Sequence, residues 1–233
     1  MADIETRDWF ANRAREYDAW FESPRGAFID DVETQLVFRL LPPSRGAHVL
    51  DAGCGTGMLT EKLHRRGCRV VGVDLSRDML RMAALKSLPV PWIRADLKAL
   101  PFASISFDAI YSVCAVEFIH PLEPVLEELW RCLKPEGHLL IATIAGDSAW
   151  GDFYRERAQQ KPDSIFRHAY FHTQEDLMAW RPEALCTSGR SLFVPPDAPD
   201  GEFTPAGESS GRKLRSGGFM AVLWKKEGRS PHA

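Results

Sequence analysis

No apolar stretch of this sequence approaches the roughly 20 residues that a bilayer-spanning helix requires, so no membrane span is expected. The amino terminus, Met-Ala-Asp-Ile-Glu-Thr-Arg-Asp, lacks the basic and then apolar character of a secretory signal. Cysteine is sparse: the five residues Cys54, Cys68, Cys114, Cys132 and Cys186 form no Cys-x-x-Cys pair. An odd, scattered set of this kind argues against a disulfide framework and against a zinc site, so no metal is expected and a reduced, cytoplasmic setting is. Positive charge is not in excess either. Lys and Arg number 29 against 32 Asp and Glu, a net charge of −3, so the chain has no basic coat for a phosphate backbone and no nucleic-acid partner is expected. No period of 20–50 residues repeats, which excludes a solenoid or propeller.

What is present is a globular composition, 45% hydrophobic and 26% charged over 233 residues, enough for one sizeable α/β domain. The segment Ala47 to Gly57, AHVLDAGCGTG, places a buried strand ahead of an acidic residue and three alternating glycines. Met58, Leu59 and Leu63 then fall at near-helical spacing, and Gly67 closes that helix. Val70 to Val73 is a second apolar strand ending at Asp74, with Ser76 as N-cap of a helix through Leu85. Val90–Ile93 and Phe107–Val113 are further strands. Leu122, Val125, Leu126, Leu129 and Leu133 mark a helix, and Leu139–Ile144 a fully buried strand. Strand–helix alternation of this kind predicts a parallel sheet with right-handed crossovers. Beyond it the pattern weakens. Ser148–Gln160 and Gln174–Trp180 read as helices, Pro195–Gly218 as an exposed loop, and Gly217–Trp224 as a last strand.

Two helices precede the sheet. Phe10, Arg13, Tyr17, Trp20 and Phe21 share a face of the first, and Phe28, Val32, Leu36 and Leu40 a face of the second. They cover a sheet edge, or the first is a lid with Tyr17 or Trp20 touching a bound ligand.

Glycines at 53, 55 and 57 allow close approach of a ligand and offer N–H donors at a helix start. A nicotinamide site usually reads Gly-x-Gly-x-x-Gly over a pyrophosphate, whereas here the third glycine comes one residue early. Asp51 would repel a pyrophosphate and suits an ammonium. Asp74, ending the second strand, is placed for both hydroxyls of a ribose, and Asp96 for an adenine amino group. S-adenosylmethionine carries all three features.

Over roughly residues 45 to 145 the sequence resembles the class I S-adenosylmethionine-dependent methyltransferases of the small-molecule type. VLDAGCGTG and VVGVDLS look like the first two family motifs, and RADLKALPFASISFDAIYS looks like the third. AVEFIHPLEPVLEELWRCLKPEGHLLIATI resembles the fourth and fifth. The resemblance implies a Rossmann-like doubly wound sheet of about seven strands, mostly parallel with an antiparallel last strand. It divides the chain into an N-terminal helical lid (1–41), a cofactor-binding core (45–145), and an acceptor-side wall with the last strands (146–233), all in one domain. Asp51 with the backbone of Gly53, Cys54, Gly55 and Gly57 would hold the methionine moiety, and Asp74 the ribose. Leu75 and Met79 would flank the adenine, whose edge would meet Asp96 and the Leu97 N–H, with Tyr17 closing over the cofactor.

The activity implied is in-line transfer of a methyl group to an O, N or C nucleophile of a small molecule. A general base is needed only where the acceptor must lose a proton, and Glu117, His120, His168 and His172 are the candidates. His168, Tyr170 and His172 alternate and so can line one side of an extended wall, or a plain surface strand. The fourth strand runs into Ser112-Val113-Cys114-Ala115 rather than an Asn-Pro-Pro-Tyr-like signature, which disfavours methylation of nucleobases. Two alternatives stay open: a protein that binds S-adenosylmethionine without transferring its methyl group, and a nicotinamide-dependent oxidoreductase.

Overall fold

The computed structural model describes residue 14, residues 16–213 and residues 216–228. Residues 16–21 are helical; Phe10 and Arg13, the first members of the aromatic face, lie outside the described residues. Helix α1 (Pro24–Leu40) follows, with Ser23 accepting the Gly26 N–H at its N-cap. The alternating core then runs β1 (His48–Ala52), α2 (Met58–Arg65), β2 (Arg69–Asp74), α3 (Arg77–Leu85), β3 (Trp92–Arg94), β4 (Phe107–Val113), α4 (Glu123–Cys132) and β5 (Leu133–Ile144). After it come α5 (Ala149–Gln160), α6 (Gln174–Met178), β6 (Leu185–Ser191), α7 (Pro205–Gly211) and β7 (Phe219–Lys225).

The strands form one seven-stranded sheet in the order β3-β2-β1-β4-β5-β7-β6. Pairing is parallel from β3 to β5, and β7 runs antiparallel to both its neighbours. Sheet order reverses beside β1, which pairs with β2 on one side and β4 on the other. A crevice opens at such a switch point because the following chain segments diverge to opposite sides.

Alternation along the central strands sends side chains to two cores. Leu139 and Ile141 of β5, with Met220, Val222 and Trp224 of β7, face the apolar stripe of α4 (Val125, Leu126, Leu129). Leu140 and Ala142, with Phe219 and Ala221, face Ile29, Val32, Leu36 and Val37 of α1. The second helix is therefore part of the sheet's cover, with Tyr111 Oη donating to Leu41 O at 2.9 Å just past its end.

Two expectations from sequence are corrected, and one strand was not foreseen. Strand β5 begins at Leu133, ahead of Pro135 and Gly137, because Leu133 pairs with Phe107 before a register shift restores regular pairing at Ala109. Strand β6 carries no apolar run. Its Leu-Cys-Thr-Ser-Gly-Arg-Ser sequence takes the sheet edge because β7 offers a partner and Leu36 of α1 packs over Gly189. The 195–218 segment is not simply an exposed loop: it contains α7 and buries Ala198 and Phe203. Phe203 meets Phe28 edge to face and lies under the Arg25 guanidinium.

Leu140 sits fully buried at the centre of the α1-facing core. Leu140→Ala is expected to lower unfolding free energy by about 2–5 kcal/mol through lost burial and a residual cavity. Urea denaturation followed by circular dichroism measures this; a change under about 1 kcal/mol would show that the core relaxes around the gap.

Candidate functional site

Beyond β1 the chain turns at Gly53, whose φ of +79° is left-handed. A Cβ there would lie 2.4 Å from the Ala115 Cβ, so only glycine lets the β1 and β4 termini approach. The Gly53 and Cys54 N–H groups both donate to Val73 O, fixing the loop to β2. Gly55, with φ +53°, has open space where a side chain would project, and its N–H donates to Asp74 Oδ2 at 2.9 Å. Ser76 N–H donates to Asp74 Oδ1 at 2.8 Å. The acid that ends β2 thus organises the glycine loop and the start of α3 together.

A cavity of about 200 Å³ opens above these strand ends. Its β1–β3 side is lined by Asp51, Gly53, Cys54, Gly55, Asp74, Leu75, Met79, Asp96 and Leu97. Burial raises the Asp51 carboxyl to about 7 although Thr60 Oγ1 donates to it. Asp74 is also raised by burial, against the opposing pull of its backbone N–H donors. Met79 and Leu97 are buried and Leu75 is half-exposed, so the two apolar side chains after β2 differ in freedom. Asp96 is exposed and accepts from the Lys98 N–H at 2.9 Å. Gly57 stands behind this wall as the N-cap of α2, its missing Cβ turned to the Trp92 ring.

The β4 side is lined by Val113, Cys114, Ala115, Phe118 and Ile119, and by a stripe of α1: Asp30, Glu33, Thr34 and Val37. Tyr17 and Phe21 close the cavity, their rings 5.0 Å apart edge to face. Trp20 is 42% exposed and outside the wall, because its position on the helix carries it away from the cavity. Thr56 Oγ1 donates to Asp18, and Lys86 lies 3.7 Å from the same carboxylate, so the 16–21 helix is hooked to the glycine loop and to α3.

The stripe on α1 was not singled out from sequence. Asp30, Glu33, Thr34 and Val37 follow i, i+3, i+4, i+7 spacing beside the buried Ile29–Val32–Leu36 stripe, and that adjacency is the signal that could have found them. Lys62 Nζ donates to Asp30 Oδ2 and Thr34 Oγ1, each at 2.6 Å, bridging α2 to α1. Burial and the nearby Asp30 raise the Glu33 carboxyl to about 8. Cys114 Sγ lies 4.0 Å from Glu33 Oε2, and burial pushes the thiols of both Cys54 and Cys114 up, which suits neither as a nucleophile.

The proposed bases do not converge on the cavity. Glu117 is buried just behind the β4 side, accepts from Thr143 Oγ1 at 2.9 Å, and is raised to about 7 by burial. His120 is exposed and stacks on Tyr170 at 4.2 Å, away from the lining. His168 ends a 3-10 turn (Ile165–His168), and neither it, Tyr170 nor His172 joins a strand or the cavity wall. The backbone explains this: the turn breaks the alternation that would have aligned them. Among the described residues, no group of three or more His, Cys, Asp or Glu is arranged to hold a metal ion.

Glu33, Asp51 and Glu117 all hold protons in the folded state at pH values where the unfolded chain has released them. The stability they contribute is complete below about pH 4 and is lost as pH rises through 7 to 8. Scanning calorimetry of the ligand-free protein is expected to give a melting temperature that falls from about pH 5 to about pH 8.5, and Glu33→Gln with Glu117→Gln should flatten the slope. A flat wild-type profile would contradict these shifts.

Residues 50–141 match the family described as a methyltransferase domain. The malonyl-[acyl-carrier protein] O-methyltransferase of Enterobacter lignolyticus is 41% identical over 46% of this chain and 43% of that protein. The chain thus spans less than half the length of that relative. The protein of the same description from Herminiimonas arsenicoxydans is 30% identical over 73% of this chain and 68% of its own length. A solved structure from Thermotoga maritima, described as a SAM-dependent methyltransferase and possible histamine N-methyltransferase, aligns with a TM-score of 0.74. It shares 24% identity over 94% of this chain and 99% of that chain, a likeness of fold. Glycine loop, strand-end acids, sheet order and the extent of these matches agree, and the chain belongs to the class I S-adenosylmethionine-dependent methyltransferases.

Proposed function

We propose that the chain binds S-adenosylmethionine across the ends of β1, β2 and β3 and transfers its methyl group to a small-molecule acceptor on the β4 side. The observation that carries this reading is the meeting of Asp51, Asp74 and the open backbone at Gly55 on one cavity wall. When bound, the sulfonium supplies an electrophilic methyl group. Asp51 and the Gly53–Gly55 backbone hold the amino-acid end, and Asp74 accepts from the ribose hydroxyls. Leu75 and Met79 flank the adenine, with Asp96 and the Leu97 N–H at its edge. Tyr17 and Phe21 exclude water from the reacting end, where alignment and desolvation are the protein's main contribution. A second reading, methylation of a carboxyl carried on a protein, is supported by the printed activity of the Enterobacter and Herminiimonas relatives.

Two measurements test the cofactor site. Asp74→Ala is expected to weaken S-adenosylmethionine binding by about 1.5–3 kcal/mol, since a charge-assisted acceptor is lost. Calorimetry reads this, and an unchanged dissociation constant with fold intact would refute the ribose assignment. Hydrogen exchange tests the cover: amides of residues 16–21 should slow when S-adenosylmethionine or its demethylated product is added. Equal protection with and without ligand would leave these residues as packing alone.

A further inference from the structure

The β4 half of the cavity has a chemical character of its own. Its titratable wall is acidic: Asp30 and Glu33 project from α1, with Glu117 buried behind Ala115 and Phe118. The basic residues in the whole lining, among those described, are Lys62 and Lys98. Lys62 is already engaged by Asp30 and Thr34, and Lys98, which follows β3, sends its Nζ to His120 O at 3.4 Å, next to Ile119. The remainder is aromatic and apolar: Tyr17, Phe21, Val37, Leu59, Phe118 and Ile119. Ring faces attract a cation, and so does the Glu33 carboxyl once it ionises, near pH 8.

We propose, resting on the methyl-transfer reading above, that the acceptor is a small amine that arrives as an ammonium ion, and that Glu33 binds it and takes its proton. Glu33 occupies the middle of the acidic stripe, opposite Cys114 at the end of β4, and, unlike Asp30, does not pair directly with Lys62. The charged and titratable groups facing it are Asp30 on its own helix, Lys62 on α2, Cys114 and Glu117 after β4, Tyr17 from the 16–21 helix, and Tyr154 on α5. Of these, Asp30 and Glu117 disfavour the Glu33 carboxylate, while Lys62 favours it. Its affinity for a proton, raised to about 8, is that of a base matched to an amine rather than of an ordinary surface glutamate.

The step balances without a further reactant. The ammonium gives one proton to the Glu33 carboxylate, leaving a neutral amine with a free lone pair. That pair forms the new nitrogen–carbon bond as the carbon–sulfur bond breaks, its electrons staying on sulfur as a neutral thioether. The product is the methylated ammonium ion, and the Glu33 proton leaves to water. A carboxylate acceptor has no proton to give to Glu33, and would lie against Asp30 and Glu33 on the α1 side.

The test pairs shape against charge. In the presence of S-adenosylhomocysteine, calorimetry should detect binding of 2-phenylethylamine, histamine or another member of an arylalkylamine panel, and not of 3-phenylpropanoate or a malonyl thioester. Glu33→Gln should weaken the amine by about tenfold or more and lower its methylation by about a hundredfold or more, a range set by loss of both charge and base. The wild-type kcat/KM should rise with pH up to about 8, and this limb should disappear in Glu33→Gln. Unchanged S-adenosylhomocysteine affinity in the variant shows that its fold and cofactor site survive. Methylation of the carboxylates, binding of no amine in the panel, or amine turnover indifferent to Glu33→Gln would each overturn the proposal while leaving methyl transfer intact. Failure of wild-type protein to bind S-adenosylmethionine at all would instead overturn the reading on which it rests.

Discussion

The hydrogen bonds from Gly55 and Ser76 N–H to Asp74 are the constraint on which the cavity depends. They bind the loop after β1 to the loop after β2, and the Gly53 contact with Ala115 draws in the loop after β4. Three consecutive positions in the sheet are thereby held at one level, with Asp51 and Asp74 lining the same crevice. Left-handed backbone falls at Gly53 and Gly55, where glycine bears it, and also at Cys114 after β4, where φ is +52°. A carboxylate in this position has two assignments at once. It satisfies backbone donors that would otherwise be buried unpaired, and it presents its remaining lone pairs to the cavity.

Much of this was legible in the sequence because it is local. The strand–glycine–helix segment at 47–65 and the acid-ended strand at 70–74 announce their own geometry through periodicity and turn chemistry. The sheet's far edge was not legible for the opposite reason. Nothing in Leu185–Ser191 favours a strand by itself; β7 and α1 impose one from residues about 30 and 150 positions away. Phe203 and Ala198 were misread as loop because Pro, Gly and Ser around them mask a small apolar set that α1 and Trp150 cover. The candidate histidines were chosen by residue type near the right strand; the structure places His168 in a 3-10 turn and stacks His120 on Tyr170.

Carboxyl burial links stability to chemistry in this site. Asp51, Glu33 and Glu117 are each held where ionisation costs free energy, and no nearby cation relieves all three. Such groups weaken the free protein as pH rises, which a purely structural core would avoid by using apolar side chains. Their persistence is coherent if a positively charged ligand supplies the missing compensation. The methionine ammonium would do so for Asp51 at one end of the cavity, and a cationic acceptor for Glu33 at the other. Two cations entering one acidic crevice would then each be favoured by the wall and disfavoured by the other, so the wall must carry more negative charge than either ligand alone requires.

Helix α1 is where these demands are reconciled. One of its stripes, Ile29, Val32 and Leu36, is fixed against the sheet, and the stripe beside it, Asp30, Glu33 and Thr34, faces the cavity. The two stripes are offset by a single residue, so the positions of Asp30 and Glu33 are set by the packing of Ile29 and Val32 beside them. The Lys62 bridge then locks the helix against α2, preventing the small rotation that would exchange lining and core. Helix 16–21 is attached by Asp18 to Thr56 and Lys86 and by ring contacts along its own face. The α1 wall is thus built on hydrophobic packing, while residues 16–21 are attached to the glycine loop and α3 by polar contacts at Asp18.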